Sequence, residues 1–449
     1  MKVRSPFAVR FAAPSFVVLG SFGSLIAVGS LLLWLPVSHA ADAVSFSDAV
    51  FTATSAVTVT GLVVVDTGTV WSGFGELVIL ALIQIGGLGI MTLAGFVGLA
   101  INRRLRVGSA ARAAAELGLS DLGVLRTLIR DLVRFVFVAE AVVAVLLTFR
   151  FGSEDDVGAL RAVHLGVFHA VSAFNNAGFS IIEGGLLRYA GDWYVSLVIA
   201  GAFILGGIGF PVVFELARLG RRPAAWSLHT RITLTTTMLL LAAGTAMIAA
   251  VEWNNEDTLG PLGWGDRLLA SFFQSATART AGFNTVDIGS LKPATWLLLV
   301  LLMVIGAGSA STGGGIKTST LAVVVRSTLA EFRRDTSVTI HGRNIPVVLQ
   351  REALALVIAA LGTVGTATFV LAVFEPDIDL GRLLFEASSA FGTAGLTTGI
   401  TDALGALSRL VIVALMFIGR VGPITFGTAV LLRHEPRAFR YPDGHLIVG

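Results

Sequence analysis

The sequence has no cysteine, and only 14% of its 449 residues are charged. The lack of cysteine excludes a disulfide framework and thiol chemistry. Soluble proteins carry about 25% charged residues, so the low charge and the 55% apolar content exclude an ordinary soluble chain. The net charge of +3 does not indicate a nucleic-acid partner, because the basic residues lie in loops between apolar runs.

Three further kinds of site are missing from the sequence. The seven histidines are scattered, so the sequence shows neither a metal-ligand cluster nor a nucleophile cluster. Residues 313–318 superficially resemble a phosphate-binding loop, but Ile316 separates the last glycine from Lys317, which breaks the G-x-x-x-x-G-K-[ST] order. We therefore expect no bound nucleotide and no enzymatic centre in this chain.

Long apolar runs dominate what is present. Eight runs are long enough to cross about 30 Å of hydrocarbon, which predicts a polytopic membrane protein. They cover residues 12–37, 74–101, 122–149, 193–217, 230–252, 295–325, 349–374 and 407–432.

A short segment occurs four times between consecutive pairs of these runs, at residues 51–62, 168–179, 272–283 and 385–396. Each copy begins with Phe and carries a glycine ten residues later. These glycines are Gly61, Gly178, Gly282 and Gly395. Each segment is too short and too polar to span a bilayer, so we interpret it as a re-entrant helix that ends in an extended loop. Irregular backbone at membrane depth requires a protein or water lining, which indicates a central cavity.

A second glycine lies 24 to 28 residues after each of these four glycines, at Gly86, Gly206, Gly306 and Gly419. Two landmarks that keep register through four copies predict a pseudo-fourfold assembly. The predicted fold is an all-α polytopic membrane protein with four parallel helix–re-entrant helix–helix repeats around one pore. The predicted repeats are residues 1–107, 108–222, 223–340 with an intramembrane gate loop at 306–315, and 341–449 with a C-terminal tail.

The four glycine segments have the chemistry of a cation filter. Glycine permits the unusual φ and ψ values that turn successive carbonyls inward, and rings of carbonyls replace the hydration shell of a monovalent cation. The C-terminal ends of the preceding helices add partial negative charge. The alternative is that the glycines only allow close helix packing. The predicted filter residues are Thr58, Val59, Thr60, Gly61, Asn175, Asn176, Ala177, Gly178, Arg279, Thr280, Ala281, Gly282, Gly392, Thr393, Ala394 and Gly395.

The run at 295–325 contains a glycine-rich insert that the other repeats lack. Glycine costs about 1 kcal/mol in a helix interior relative to alanine, so the helix should break here. We interpret the insert as a gate below the filter, with a passive kink as the alternative. Arg420 should project toward it, either to repel cations and bind the loop or as a purely structural side chain. The predicted gate residues are Gly306, Gly308, Ser309, Ser311, Thr312, Gly313, Gly314, Gly315 and Arg420.

Two other charges lie in apolar surroundings. Arg279, three residues before Gly282, is expected to point behind the loop and brace it by hydrogen bonds. Glu140 lies in the third run, where an intramembrane carboxylate is a functional candidate. Because Glu140 is outside the repeated motifs, we favour a structural ion pair with Arg134.

The distribution of basic residues sets the predicted orientation. Lys and Arg cluster between repeats and at the termini, which places both termini in the cytoplasm and opens the four glycine segments to the outside. Acidic residues flank the glycine segments. They would concentrate cations by field focusing, or they simply reflect outer loops that lack Lys and Arg.

Four segments of the chain resemble a known family. Residues 52–67, 279–287, 311–320 and 416–426 are similar to the KtrB family of membrane subunits in bacterial Ktr potassium uptake systems, within the TrkH/Trk/HKT superfamily. The resemblance implies potassium uptake across the bacterial plasma membrane, stimulated by sodium, with potassium bound by filter carbonyls only. It also implies a homodimer on a cytosolic nucleotide-binding KtrA-like ring.

Several alternatives stay open at this stage. The alternatives for the function are a sodium- or proton-coupled potassium symporter, a TrkH-type subunit of the same superfamily, and a receptor without transport. The basic loops would dock an acidic regulatory subunit or lipid headgroups, or act only as topology signals. The tail at 445–449 resembles segments that tuck into the dimer interface of the family.

Overall fold

The computed structural model describes residues 14–40, 44–105, 121–154, 157–220 and 222–422. In these ranges nearly all regular structure is helical, which confirms the predicted all-α class. The described strands form one short hairpin, β1 (Thr339–Ile340) and β2 (Arg343–Asn344). The α-helices are α1 (Pro14–Trp34), α2 (Phe46–Thr58), α3 (Thr67–Val70), α4 (Gly73–Leu105), α5 (Asp121–Phe151), α6 (Ala159–Phe174), α7 (Trp193–Ile208), α8 (Phe210–Leu219), α9 (Leu228–Glu252), α10 (Trp264–Thr277), α11 (Pro293–Val304), α12 (Thr318–Arg333), α13 (Val347–Phe374), α14 (Leu380–Gly392) and α15 (Ala406–Val421).

The helices divide into long apolar ones and short buried ones. Among the described residues, three single helices are long and apolar enough to cross a bilayer, at Ile129–Phe151, Leu228–Glu252 and Val347–Phe374. A fourth span results if the bent pair α7 and α8 counts as one. The chain is therefore a multi-pass membrane protein. The predicted C-terminal tail, with residues 445–449, and the basic residues Arg106 and Arg112 lie outside the described residues.

Four short helices, α2, α6, α10 and α14, end at the four glycine segments. Their last two turns are buried, and two of them have side-chain N-caps that satisfy free backbone N–H groups. Ser45 caps α2 by accepting from Asp48 N, and Asp379 caps α14 by accepting from Gly381 N and Arg382 N. The caps fix where these helices begin, and burial fixes where they pack.

The packing order of the short helices is cyclic. Each short helix forms a unit with the long helices before and after it, and the four units in chain order are α1–α4, α5–α7, α9–α11 and α13–α15. Each short helix packs against the long helix that precedes it, and three also pack against the long helix that follows in the same unit. In addition, α4 packs against α6, α7 against α10, α11 against α14, and α15 against α2. The second long helix of each unit therefore reaches the short helix of the next unit, and the fourth returns to the first.

The second glycine landmark has a direct structural reason in three units. A Cβ atom on Gly86, Gly206 or Gly419 would lie 2.1, 2.0 or 1.9 Å from a carbonyl oxygen of the short helix in the same unit. The oxygen always belongs to the residue four before the repeated glycine, namely Val57, Phe174 and Phe391. Glycine lets these helices approach at backbone distance. In the third unit Gly306 instead packs on Gly314 of the glycine-rich loop.

Two of the long apolar runs are broken. The run predicted at 295–325 divides into α11 and α12, with an irregular loop at 305–317 between them. The run predicted as a span at 193–217 divides into α7 and α8, which pass as one span only if the bent pair is counted together. Gly209 adopts φ 98° and ψ 138°, and the axes of α7 and α8 meet at 98°. That conformation is open essentially to glycine alone, so Gly209 permits the bend.

Candidate functional site

Gly61, Gly178, Gly282 and Gly395 lie side by side in a closed ring, which we call the glycine ring. A Cβ atom on any of them would lie 3.0 Å or less from the carbonyl oxygen just before the next unit's glycine. These distances are 2.4 Å from Gly61 to Ala177, 2.9 Å from Gly178 to Ala281, 3.0 Å from Gly282 to Ala394, and 2.2 Å from Gly395 to Thr60. Carbonyl oxygens of all four units thus meet at the ring, and only glycine leaves room for them.

Each ring glycine is preceded, two positions earlier, by a residue that also has a positive φ. The four glycines have φ between 70° and 93°. The earlier residues are Val59 at 55°, Asn176 at 60°, Thr280 at 77° and Thr393 at 50°. A residue other than glycine pays about 1–3 kcal/mol in this region, and a β-branched residue such as Val59 is a true outlier. Strain repeated at the same position in four units marks a functional segment.

Three of the four segments leave their helix by the same capping motif. In units one and four the left-handed residue is the first position past the helix, and in unit two it is the second, after Asn175. The next residue donates its N–H to a carbonyl five residues back, as in a Schellman motif. These hydrogen bonds are Thr60 to Ser55 at 2.8 Å, Ala177 to Ser172 at 2.7 Å and Ala394 to Ser389 at 2.8 Å. In unit three, Ala281 instead reaches only four residues back, to Thr277 at 2.9 Å.

The residues three positions before the ring glycines, Thr58, Asn175, Arg279 and Gly392, differ in what they contact. Thr58 bonds its own helix at Thr54, with 2.7 Å between Oγ1 and the carbonyl oxygen. A Cβ on Gly392 would lie 2.3 Å from the Met303 carbonyl oxygen of α11. Arg279 donates to the Thr237 carbonyl oxygen and hydroxyl on α9, at 3.5 and 3.3 Å. Its guanidinium thus lies against a neighbouring helix, 9% exposed, and ties the segment to α9.

Asn175 is the residue three positions before Gly178, and its contacts correct the predicted ion pair of Glu140. Its Nδ2 donates to Glu140 Oε1 at 2.8 Å and to Gln84 Oε1 at 3.2 Å. Gln84 Nε2 in turn donates to Glu140 Oε2 at 3.2 Å. The expected ion pair of Glu140 with Arg134 was wrong. Arg134 is exposed one and a half turns away, whereas Glu140 is buried against a predicted filter segment.

The loop at 305–317 packs directly against the glycine segments. Thr312 Oγ1 donates to Asn176 Oδ1 at 2.8 Å, and Gly314 N donates to Thr393 Oγ1 at 3.1 Å. A Cβ on Gly313 would lie 2.1 Å from Thr280 Oγ1. The loop therefore contacts the left-handed residues of three units, immediately next to the ring.

The same loop also docks on the bend between α7 and α8. The bend leaves backbone carbonyls without helical partners, and the loop supplies donors for them. Gly308 N donates to Gly207 O at 2.8 Å, and Thr312 N donates to Gly206 O at 3.3 Å. In the other direction, Phe210 N donates to Ala310 O at 3.3 Å. The two broken spans interlock, a pairing that sequence reasoning missed.

Two cationic side chains donate to carbonyls of the loop: Arg420 from α15 and Lys317 from the end of the loop itself. Arg420 at the end of α15 is 4% exposed. Its Nη1 donates to Thr312 O, and its Nη2 donates to Gly86 O at 3.3 Å. Lys317 Nζ donates to Gly313 O at 2.6 Å and to Gly314 O at 3.3 Å. Both cations lie next to the loop carbonyls that contact the glycine segments.

Conventional metal chemistry has no support in the described part of the chain, where His, Asp and Glu form no group of three suited to hold a metal ion. The site offers main-chain oxygens and hydroxyls instead. Such weak, neutral ligands suit a monovalent cation that must leave again.

Comparison with known proteins agrees with this chemistry. The sequence model of the TrkH family, described as cation transport protein, matches residues 4–439. The chain is 41% identical to Ktr system potassium uptake protein B of Bacillus subtilis, covering 98% of each chain. It is 34% identical to the potassium/sodium uptake protein NtpJ of Enterococcus hirae, covering 97% of each. The potassium transporter TrkH from Vibrio parahaemolyticus has the same fold, with a TM-score of 0.75 over 96% of this chain and 86% of that one, at 17% identity.

Proposed function

The chain belongs to the TrkH family of cation transport proteins, and on that premise we propose that it takes up potassium through the glycine ring. The observation that carries the proposal is the closed ring of four glycines with carbonyl oxygens of all four units between them. Partly dehydrated potassium would pass through these main-chain oxygens, which replace its hydration water. The chain is a transporter and not an enzyme.

The proposed orientation places the ring toward the outside and both termini in the cytoplasm of a bacterial plasma membrane. Its support is the distribution of Lys and Arg, which favours the cytoplasmic side. The short helices α2, α6, α10 and α14 would then point their C-terminal ends at the pore. Each end carries about half a negative charge, which favours a cation there.

The experiment that tests the proposal is growth at low potassium. A bacterium that lacks its own potassium uptake systems should grow when it carries this chain and its regulatory subunit. The Gly282→Ser variant should not support growth, because the added side chain enters the ring. Failure of the unaltered chain to transport potassium, with normal amounts in the membrane, would overturn the proposal.

Sodium dependence separates two versions of this function. The relative of Enterococcus hirae is named a potassium/sodium uptake protein, which supports sodium involvement. We favour a pore that sodium stimulates, with a sodium- or proton-coupled symporter as the second candidate. In a symporter, reversing the sodium or proton gradient at constant voltage would drive potassium outward. In a pore, only the potassium gradient and the voltage would set its direction.

The loop at 305–317 is proposed as the gate. It contacts three glycine segments, and Lys317 and Arg420 hold it in place. The glycines of the loop give its backbone the freedom to move. Its hydrogen bonds to the glycine segments hold it in the closed position.

Deleting residues 308–313 is expected to raise the maximal potassium uptake rate several-fold, because the loop would no longer cover the ring. Thr312→Val, which removes one hydrogen bond to Asn176, should act in the same direction but less strongly. Thr363→Val on α13 is the matched control, since its hydroxyl bonds only Ala359 of its own helix. Initial uptake rates per amount of membrane protein measure the effect. A lower rate with normal folding would argue against a gate.

The family also supports proposals about partners. We infer a homodimer that binds a cytosolic nucleotide-binding ring through the basic loops, with membrane lipid around it. The Ktr name of the Bacillus subtilis relative, a protein of a multi-component system, agrees with a regulatory partner.

Removing residues 445–449 is expected to weaken the dimer, because this apolar tail resembles segments that pack between subunits in the family. These residues lie outside the described part of the chain. Mass measurement of the purified protein in detergent, over a dilution series, would show more monomer for the truncated chain. A truncated chain that stays dimeric at every dilution would exclude the tail from the interface.

A further inference from the structure

Two of the short helices carry a buried ionisable side chain at the same register, nine residues before the ring glycine. Glu386 stands there on α14, and His169 stands there on α6. Both are 0% exposed. Each contacts the residue two positions after its own ring glycine. Glu386 Oε1 accepts from Thr397 Oγ1, and His169 Nε2 lies 2.9 Å from Ser180 Oγ.

The other two units lack this contact. Thr52 and Phe273 occupy the corresponding position, and the Thr52 hydroxyl has no hydrogen-bond partner among the described residues. Val63 and Asn284 replace the hydroxyl residues, and Asn284 Nδ2 donates to Val286 O instead. In the order of the glycine ring, units two and four face each other. The residue two positions after the ring glycine is therefore hydrogen-bonded to the short helix in units two and four, on opposite sides of the ring.

The contact is more extensive at Glu386 than at His169. Besides Thr397, Glu386 Oε1 accepts from Thr401 Oγ1 at 2.7 Å. The two threonine hydroxyls are 2.8 Å apart, and Gly399 N donates to Thr397 Oγ1 at 3.0 Å. One carboxylate oxygen thus fixes residues 397–401 against α14. The second oxygen, Oε2, is buried and has no partner within the described ranges.

From this arrangement we propose that Glu386 is a positioning residue that sets the affinity and selectivity of the glycine ring for potassium. The inference rests on the proposed function. Thr397 follows Gly395 by two residues, so anchoring it limits movement of the Ala394 and Gly395 carbonyls. A carbonyl ring discriminates between ions of different radius only while its oxygens hold their places, since a looser ring also closes around sodium. His169 and Ser180 anchor the opposite side in the same way.

The decisive experiment compares Glu386→Ala with Glu386→Gln in cells that depend on this chain for potassium uptake. Glu386→Ala should raise the KM for potassium about tenfold, equivalent to about 1.4 kcal/mol, with a smaller change in maximal rate. It should also let sodium inhibit uptake at lower concentration. Glu386→Gln keeps an acceptor oxygen at the same place and should restore both values to near those of the unaltered chain.

Matched variants keep the test interpretable. Thr397→Val removes the hydroxyl from the other side and should reproduce the rise in KM, even if Glu386→Ala fails to fold. Combining both changes should add little, because they break the same contact. Thr52→Val, at the same register in unit one, should leave KM unchanged. An unchanged KM in both Glu386→Ala and Thr397→Val, or a Glu386→Gln as impaired as Glu386→Ala, would overturn the inference.

Failure of the proposed function would look different from failure of this inference. If the unaltered chain transports potassium and Gly282→Ser abolishes transport, the pore stands and only the role of Glu386 is in question. If Gly282→Ser transports normally, the glycine ring itself is not the path.

Discussion

Replacing Gly178 with serine is expected to lower potassium uptake at low external potassium by about a hundredfold or more, equivalent to at least about 2.7 kcal/mol. Gly178 has φ 70°, and a Cβ there would lie 2.7 Å from Gly282 Cα and 2.9 Å from Ala281 O. The colliding atoms are backbone of the neighbouring unit, which cannot rotate away as a side chain would. The ring would have to open, and the carbonyl oxygens would leave the positions that a dehydrated ion requires.

Gly184→Ser is a closely matched control for this prediction. Gly184 lies six residues later and also has φ 70°, but a Cβ there meets nothing within 4 Å. Both variants therefore carry the same backbone strain of about 1–3 kcal/mol, and only one adds a collision inside the ring. Gly184→Ser should transport within about twofold of the unaltered chain. Equal loss of uptake in both variants would show that strain or folding, and not the ring, explains the effect of Gly178→Ser.

The sequence was sufficient to predict the class of the protein. Low charge and long apolar runs predicted a helical membrane protein, and the family match and the helical fold confirm this. Gly61, Gly178, Gly282 and Gly395 stood out because their register is preserved across four copies. A repeated spacing is visible in the sequence even when the contact it serves is not.

Contacts between distant parts of the chain could not be predicted from the sequence. Glu140 was paired with Arg134 because the two are near neighbours on one helix, whereas its partners Gln84 and Asn175 come from two other helices. Burial decides such cases, because a desolvated carboxylate needs donors wherever the fold supplies them. The signal present in the sequence is Asn175, since a polar side chain at that register needs a buried partner.

The bend at Gly209 shows a second limit of sequence reasoning. A single glycine in an apolar run is a weak signal, since many membrane helices tolerate one. The break becomes necessary only because the loop at 305–317 docks there, with Gly308 N donating to Gly207 O. Likewise, the left-handed residues are Val59, Asn176, Thr280 and Thr393, where local preference alone would place glycine. The surrounding packing holds them in a conformation that their own chemistry disfavours.

Replacing Arg420 with alanine is expected to raise the maximal potassium uptake rate about tenfold and to reduce its dependence on the regulatory subunit. Two effects of the guanidinium act in the same direction. It bridges Thr312 O of the loop and Gly86 O of α4, so its loss frees the loop. It also repels a cation below the ring. Two like charges about 4 Å apart repel by about 4 kcal/mol at an effective dielectric constant of 20, and by half that at twice the distance.

Arg420→Lys separates the two contributions. Lysine keeps the positive charge, but its single ammonium group lacks the two nitrogens with which the guanidinium donates separately to Thr312 O and Gly86 O. If the hydrogen-bonded bridge keeps the loop closed, Arg420→Lys should raise the rate nearly as much as Arg420→Ala. If repulsion dominates, Arg420→Lys should transport like the unaltered chain. An Arg420→Ala protein with an unchanged rate in reconstituted vesicles, with and without the partner, would remove Arg420 from the gate and leave it a structural side chain.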